Sequence, residues 1–373
     1  MRMARALVVA AVVVGGCGTP LTSPFSRVDL PPGLTPVVLA ADGDSLLVGG
    51  QWADRPVVPG LLRLGADRRP VEVPLTPATP YGGLAEWTSL TADDGRILAI
   101  GGKRGGAHGN VRWSVWTGTA AGVAERKQAA GAFGSYGAGD LIGGALPDGG
   151  PVVIGTWENA RTAMDVAAWT IDEAHTATRL PSAGTALEST AAEIVFPTGV
   201  SATDRSVIVS GWQVDTASGA QTPVIWHSEA GATGWTKTPL PDSGATAIAD
   251  AVTCHPTCTT TGRTDHTAAV WLRNGTTWTR LPDMPATPTT DQTPLPAPMW
   301  LDDRLLVAVP HETGIRLLSW RAGTWTTHET GLPGTPTALA RAGDHLYLLT
   351  TDNETRTLWH TPTTTLTSDT EPR

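Results

Sequence analysis

Carboxylates at matching places and a small Cys/His cluster are the residues in this chain that could do chemistry. Acidic residues open four successive apolar runs: Glu86 in AEWTSL, Asp140 in GDLIGG, Glu193 in AEIVFP and Asp250 in ADAVTC. Brought together as an arc, they would raise one another's pKa by repulsion and favour a cation, or a basic or hydroxyl-bearing ligand. Two of them at a working separation would suit glycosidase-like hydrolysis. The stretch VTCHPTCTTTGRTDH adds Cys254, His255, Cys258 and His266, residue types that bind zinc. A third group suits recognition better than catalysis, because Trp, Arg and His gather at binding faces. It comprises Trp52, Asp54 and Arg55 in QWADR, Arg104 and His108, Trp157, Glu158 and Arg161 in TWENAR, Trp212 and Gln213, and Arg263, Asp265 and His266 in RTDH. No G-x-S-x-G, P-loop or H-E-x-x-H motif is present.

These residues need a frame, and the sequence repeats one. Tryptophans that follow two small or apolar residues fall at Trp116, Trp169, Trp226, Trp271, Trp320 and Trp359, separated by 53, 57, 45, 49 and 39 residues. LRL, ending at Leu64, lies 52 residues before Trp116 and makes a seventh copy. About 50 residues is the period of a four-stranded propeller blade. Ahead of each copy runs a short apolar stretch, in most copies closed by glycine: Gly50, Gly102, Gly155, Gly211 and Gly262, then Val309 and Thr350. Such stretches read as buried strands leading into open turns. Turn sequences such as ADGD, ADDG and PDGG introduce several of them, so the first two strands of a unit form a hairpin. Strands ending near Leu-Pro close the units, as in WTKTPLP to Pro241 and WTRLP to Pro282. Proline is tolerated there because an edge strand has no ladder bond to lose.

The expected fold class is therefore all-β, a seven-bladed β-propeller. The seventh unit lacks a closing strand, whereas SRVDLP, residues 26–31, precedes the first, so an N-terminal strand is expected to complete the last blade and close the ring. The alternative is six blades with a disordered tail. The carboxylates then sit at the mouth of the channel that first strands line. The recognition group lies on the face built from the loops after second strands and from the connectors between blades.

Composition agrees with a turn-rich β protein: 42 Gly, 30 Pro and 15 Trp against 3 Phe and 3 Tyr. Only three of the 26 basic residues are lysines, which leaves 23 arginines and points to a GC-rich coding bias. A net charge of −9 argues against nucleic acid as partner. At the N-terminus, Arg2 and Arg5 precede the nine apolar residues Ala6–Val14 and then Gly15-Gly16-Cys17, too short an apolar run to span a bilayer. VGGC resembles the lipobox of bacterial lipoproteins, which implies a signal peptide over 1–16, a diacylglyceryl anchor on Cys17 and a tether over 17–25. The propeller would occupy 26–361 and a disordered tail 362–373.

VTCHPTCTTTGRTDHTAAVWLRNGTTWTRLP resembles, over about 30 residues, the secreted propeller repeats of high-GC Gram-positive bacteria that pair an SC…CxAVG hairpin with W.G..W. The resemblance implies a disulfide between Cys254 and Cys258, worth roughly 2 kcal/mol in the chain-entropy model. This copy departs from it in a shorter hairpin and in Thr where the family has Ala-Val. In an oxidising compartment, with no second Cys pair, the zinc reading gives way. No metal and no cofactor are expected. A sialidase-like site fares no better: an S-x-D-x-G-x-x-W turn counted back from Trp278 fits Gly275 but meets Arg273 and Trp271, and Tyr81, Tyr136 and Tyr347 are the only phenols. The expectation is an exported, monomeric, membrane-anchored binding module for an envelope protein or glycan. A carboxylate-based hydrolase at the channel mouth is the alternative.

Overall fold

The computed structural model describes residues 23–105, 109–129, 131–133, 138–159, 161, 164–290 and 293–367; Cys17, His108 and Tyr136 lie outside the described residues. Seven antiparallel sheets follow one another along the chain, seven and not six. Blade one, for example, is built from Leu34–Asp42, Ser45–Trp52, Pro59–Leu64 and Pro70–Glu72 in that order from the axis outward. Blade two carries a fifth strand, Leu75–Thr76, which pairs in parallel with its outermost strand Gly122–Glu125. The first hairpins turn where the sequence expects them. In ADDG, Asp94 and Gly95 both take positive φ, 48° and 74°, as a tight hairpin turn requires.

The glycines at the ends of the apolar stretches do not open turns. Second strands run through them, to Trp52, Arg104, Glu158, Asp215 and Thr264. Six of the seven innermost strands carry a β-bulge, each at the residue following a pair with the second strand. In five blades that pair ends on a glycine: Pro36–Gly50, Trp87–Gly101, Leu141–Gly155, Pro197–Gly211 and Ala249–Gly262. The bulged strand bends over its neighbour. A Cβ would stand 2.7 Å from Thr35 O at Gly50, 3.0 Å from Glu86 O at Gly101 and 2.5 Å from Asp140 O at Gly155. At Gly211 and Gly262 it would run closer still into Phe196 O and Ile248 O. The glycines exist to let two backbones approach. In blade seven the pair is Pro336–Thr350, and in blade six the innermost strand is only Met299–Leu301, with no bulge.

The third-strand tryptophans fill the spaces between blades. Trp116, Trp169, Trp226 and Trp271 are fully buried. Three of their indoles hold the connector arriving from the previous blade, Trp169 donating to Ala132 O at 3.0 Å, Trp226 to Ala186 O at 2.8 Å and Trp271 to Pro241 O at 2.8 Å. In blade six Trp325 takes this role, donating to Pro282 O at 2.9 Å. WLRNGTTWTRLP is thus framework, with Trp271, Trp278 and Leu281 all buried and Cys254 and Cys258 packed against the two tryptophans as a disulfide.

The ring closes as expected. Ser26–Arg27 pairs antiparallel with Thr355–Pro362, opposite His360 and Trp359, as the outermost strand of blade seven. Packing extends past that strand: Phe25 is buried with Leu301, Leu332 and Leu366, the last on a short helix Thr364–Thr367. Phe25, expected in the tether, and Leu366, expected in the tail, therefore belong to the body.

On the face of the first hairpin turns, Arg68 of blade one reaches across the closure to blade seven. Its Nη1 lies 3.0 Å from His345 Nε2 and 3.4 Å from His360 Nδ1, and His345 Nδ1 lies 2.6 Å from Asp344 Oδ1. A guanidinium only donates, so both imidazoles accept at those nitrogens and His345 donates to Asp344. Burial, Arg68 and His345 together hold the His360 pKa below its ordinary value. Burial acts in the same direction, with Arg273 and Arg304 respectively, on His227 and His328.

Two outcomes are expected. Gly262→Ala should cost about 1–3 kcal/mol because backbone must move. Gly149→Ala, with nothing within 4 Å of its Cβ position, should cost far less, and equal urea midpoints for the two would refute the crossing argument. For pH, a histidine depressed in the fold binds protons more readily when unfolded. Stability is therefore full above the unfolded value of about 6.5 and is lost as pH falls below it. Thermal melts should drop between pH 7.5 and pH 5, and His360→Gln should flatten that slope.

Candidate functional site

The candidate ligand face is the one where innermost strands begin. It carries the turns between second and third strands and the connectors that enter each blade. The expected arc of carboxylates is not assembled there at one level. Counting from the residue that precedes each bulge, Glu86 and Asp140 stand one place before it, Glu193 four before and Asp250 one after. At about 3.3 Å per residue, Glu193 lies some 10 Å further out and Asp250 some 7 Å deeper than the other two. The apolar runs align the blades only roughly, because the bulges, which set the true register, leave no clear mark in those runs.

Three of the four carboxylates have cationic partners. Glu86 Oε1 meets Lys103 Nζ at 2.6 Å, and Glu193 meets Lys237, the outermost-strand lysine of its own blade. Asp250 is buried against Arg263, with Oδ1 2.9 Å from Nη2 and Oδ2 3.1 Å from Nε. Leu295 N–H donates to the same carboxylate at 3.1 Å, and Arg263 Nη1 donates to Thr290 O at 2.7 Å. The pair thus pins the long Pro-rich connector from blade five to blade six. Burial pushes the Asp250 carboxyl above its usual range, against the opposing pull of Arg263 and of the Leu295 N–H. Such a pair contributes a fixed geometry more than net stability, yet removing one partner strands a buried charge. Asp140 is exposed, its backbone N–H donating to Thr156 Oγ1 at 3.0 Å.

The recognition residues divide between framework and rim. Trp52 is buried and packs against Gly60, with the Arg55 guanidinium 3.3 Å over its ring and Arg55 Nη1 2.7 Å from Glu72. Arg104 closes its own loop through Gly109 O at 2.7 Å. Trp157 is half-buried beneath Arg179, whose guanidinium stands 4.5 Å from the ring, and meets Trp169 edge-on. Glu158 and Arg161 are exposed on the same loop, where Asn159 Oδ1 accepts from the Arg161 N–H at 2.8 Å. Trp212 stacks on Phe196 across the strand pair, ring centroids 4.3 Å apart and both half-buried. Asp265 Oδ1 accepts from the N–H and hydroxyl of Thr246, on the connector entering its blade, at 3.2 and 3.1 Å, and these bonds hold its carboxyl below the usual range. His266 O accepts from Thr289 N–H at 2.8 Å. Cys254 and Cys258 are bonded to each other, so neither is a thiolate ligand, and no group of three metal-binding side chains occurs among the described residues.

Sequence reasoning missed one concavity on this face. A groove of about 480 Å³ lies at the closure of the ring, between residues 27–36 and residues 354–358, with Arg27, Asp29, Glu354 and Arg356 on its walls. Its two walls are more than 300 residues apart in sequence, and only the expected closing strand hinted that they meet.

No family model and no curated protein matches the chain. Among solved structures it resembles the β-propeller domain of the Trilobed protease from Pyrococcus furiosus, with TM-score 0.54 and 10% identity over 91% of this chain and 97% of that one. It also resembles prolyl oligopeptidase B from Galerina marginata, with TM-score 0.54 and 10% identity over 89% of this chain and 49% of that one. The chain thus spans about half the length of that enzyme. What is shared is the propeller. The Pyrococcus domain is described as having an open velcro, whereas here Ser26–Arg27 joins the ends of the ring.

Arg263→Ala should lower stability by about 3–5 kcal/mol, the cost of stranding a buried charge, with Arg263→Lys in between. Chemical denaturation reads this directly, and a loss below about 1 kcal/mol would show that the pair does not pin the connector.

Proposed function

We propose that the protein is a lipid-anchored, extracytoplasmic binding module that engages a partner at the cell envelope through the face where innermost strands begin. The lipobox-like VGGC supports the anchor at Cys17. The observation that carries the binding reading is the set of rings fixed on that face: Trp157 under Arg179 in blade three, and Phe196 stacked on Trp212 in blade four. Half-buried aromatics locked by neighbours give large contact area at low entropic cost, which is the composition of binding hot spots. Of Glu86, Asp140 and Glu193, on which a hydrolase would draw, Glu86 and Glu193 are each engaged by a cation in their own blade and Asp140 stands exposed. That engagement favours binding over acid–base catalysis.

The test combines fractionation with cross-linking in intact cells. Cys17→Ala should move the protein from the membrane to the soluble fraction, and retention at the membrane would remove the anchor. A cross-linked species recovered with the wild-type protein should be lost with Phe196→Ala/Trp212→Ala while the double variant still melts cooperatively. Equal recovery from both would remove this face as the binding surface.

A further inference from the structure

The connector that carries the chain from blade one to blade two holds two large hydrophobic side chains in water. It first gives Leu75–Thr76 to the edge of blade two and then makes a short 3-10 helix, Gly82–Leu84. Glu125, buried at the end of the outermost strand of that blade, fixes this turn. Its carboxylate accepts from Ala78 N–H at 2.6 Å, from Thr79 N–H at 2.7 Å and from Thr79 Oγ1 at 2.7 Å, and Thr79 Oγ1 accepts from Gly82 N–H at 2.9 Å. Gly82 sits against the same carboxylate, and any Cβ there would run into it. On the other side Val58 N–H, at the end of the ligand-face turn of blade one, donates to Gly83 O at 2.9 Å. Between these fixed points stand Tyr81 and Leu84, 36% and 43% exposed; among the described residues Val71 is the one other large hydrophobic so exposed. Leu84 N–H donates to Tyr81 O at 3.1 Å, so both side chains ride on one rigid turn. Either would contribute more to the fold buried than displayed, and such a patch marks a contact with another molecule.

The end of blade two beside this turn is basic. Strands Glu86–Asp93, Arg96–Arg104 and Val111–Thr119 bring Lys103, Arg104 and Arg112 there against one acid, Glu86, which Lys103 neutralises at 2.6 Å. Arg104 donates to Gly109 O at 2.7 Å, a carbonyl that leaves its charge uncompensated. The Arg112 guanidinium stands 6.0 Å from the centroid of the Tyr81 ring, and the ring covers Gly105, whose Cβ position lies 2.8 Å from it. These cations gather on a chain whose net charge is −9. Asp140 and Glu158, exposed on the next blade, would repel an acidic ligand and so set the side from which it approaches.

We infer that the turn at Tyr81 and Leu84 anchors an acidic segment of a partner protein, which sets an apolar side chain against those two residues and carboxylates towards Arg104 and Arg112. This rests on the binding-module reading and names the chemistry of the partner. Charge complementarity selects the acid. Leu84 selects protein over glycan, because a sugar laid over an aliphatic side chain would have hydroxyls desolvated without a partner. Tyrosine beside arginine is the composition of interface hot spots, and a turn already rigid in the free protein lowers the cost of ordering.

The test selects random displayed dodecapeptides on full-length protein and measures the enriched ones by fluorescence anisotropy. Enriched peptides should join two or more aspartates or glutamates to an aromatic or aliphatic residue and bind saturably. Tyr81→Ser/Leu84→Ser should weaken them by about tenfold or more while melting with the wild type, since both side chains are exposed. Arg104→Gln and Arg112→Gln should each weaken them by about two- to fivefold, as expected for exposed pairs, and added salt should do the same. No enrichment, enrichment of neutral or basic peptides, or binding indifferent to these variants would overturn the site. Polygalacturonate bound with the same dependence on Tyr81 and Leu84 would overturn it too, since the partner would then be a glycan. Failure here, with the cross-linked species still dependent on Phe196 and Trp212, would leave the binding module standing and remove only this anchor.

Discussion

A ring of sheets made from one chain has one seam, and the whole closed arrangement depends on how that seam is held. Here it is held three ways. Ser26–Arg27 supplies a short ladder to blade seven. Leu46, Val48, Leu62 and Leu64 of blade one pack in one cluster with Tyr347, Leu349 and Leu358 of blade seven. Arg68 then spans the first-hairpin face to His345 and His360. The apolar cluster is the strongest of the three, since each fully buried side chain contributes about 1.5–3 kcal/mol, against about 1 kcal/mol for a backbone hydrogen bond. The two-residue ladder is a register pin on a joint closed mainly by side chains, which is why it can be so short.

The second constraint is the crowding of innermost strands around the axis. Gly143 shows its severity: a Cβ there would meet Val200 of the next blade at 2.5 Å and would stand 3.4 Å from Ser89 of the previous one. Bulges bend the innermost strands to fit, and in five blades the bend presses a carbonyl onto a glycine of the second strand, while blade seven carries its bulge opposite Thr350. Blade six escapes because its innermost strand is three residues long. The long connector does the remaining work there, tied to Thr261 through Pro296 O at 2.8 Å and to Asp250 through the Leu295 N–H. The buried Asp250–Arg263 pair therefore serves the irregular blade geometry, fixing the connector through Leu295 and Thr290.

This explains what was legible in the sequence. Trp116, Trp169, Trp226 and Trp271 report the repeat because each must fill the same gap between sheets, and the blade count, the closing strand and the Cys254–Cys258 bond all followed from that spacing or from the repeat it resembles. Register around the axis was not legible. A bulge costs one residue and leaves the apolar pattern intact, so Glu86, Glu193 and Asp250 looked equivalent when they stand at three depths. The cations that meet them come from strands 17, 44 and 13 residues later, a separation that no local pattern encodes. The groove was hidden for a stronger reason, since it exists only where the first and last blades meet.

That meeting point also bears on mechanics. In the proposed anchored form, the closing strand Ser26–Arg27 begins nine residues after Cys17, so any pull on the anchor would act first on the seam. The strand is shielded from it. Ser23 Oγ donates to Thr330 O at 2.6 Å, and Phe25 is buried against Leu332 and Leu366. Force entering along the tether meets a hydrophobic plug between blades six and seven before it reaches the ladder opposite His360 and Trp359. A buried phenylalanine contributes more than the hydrogen bonds it protects. In that proposed form, the position of Phe25 would let one short segment serve both as the end of a tether and as the strand that closes the ring.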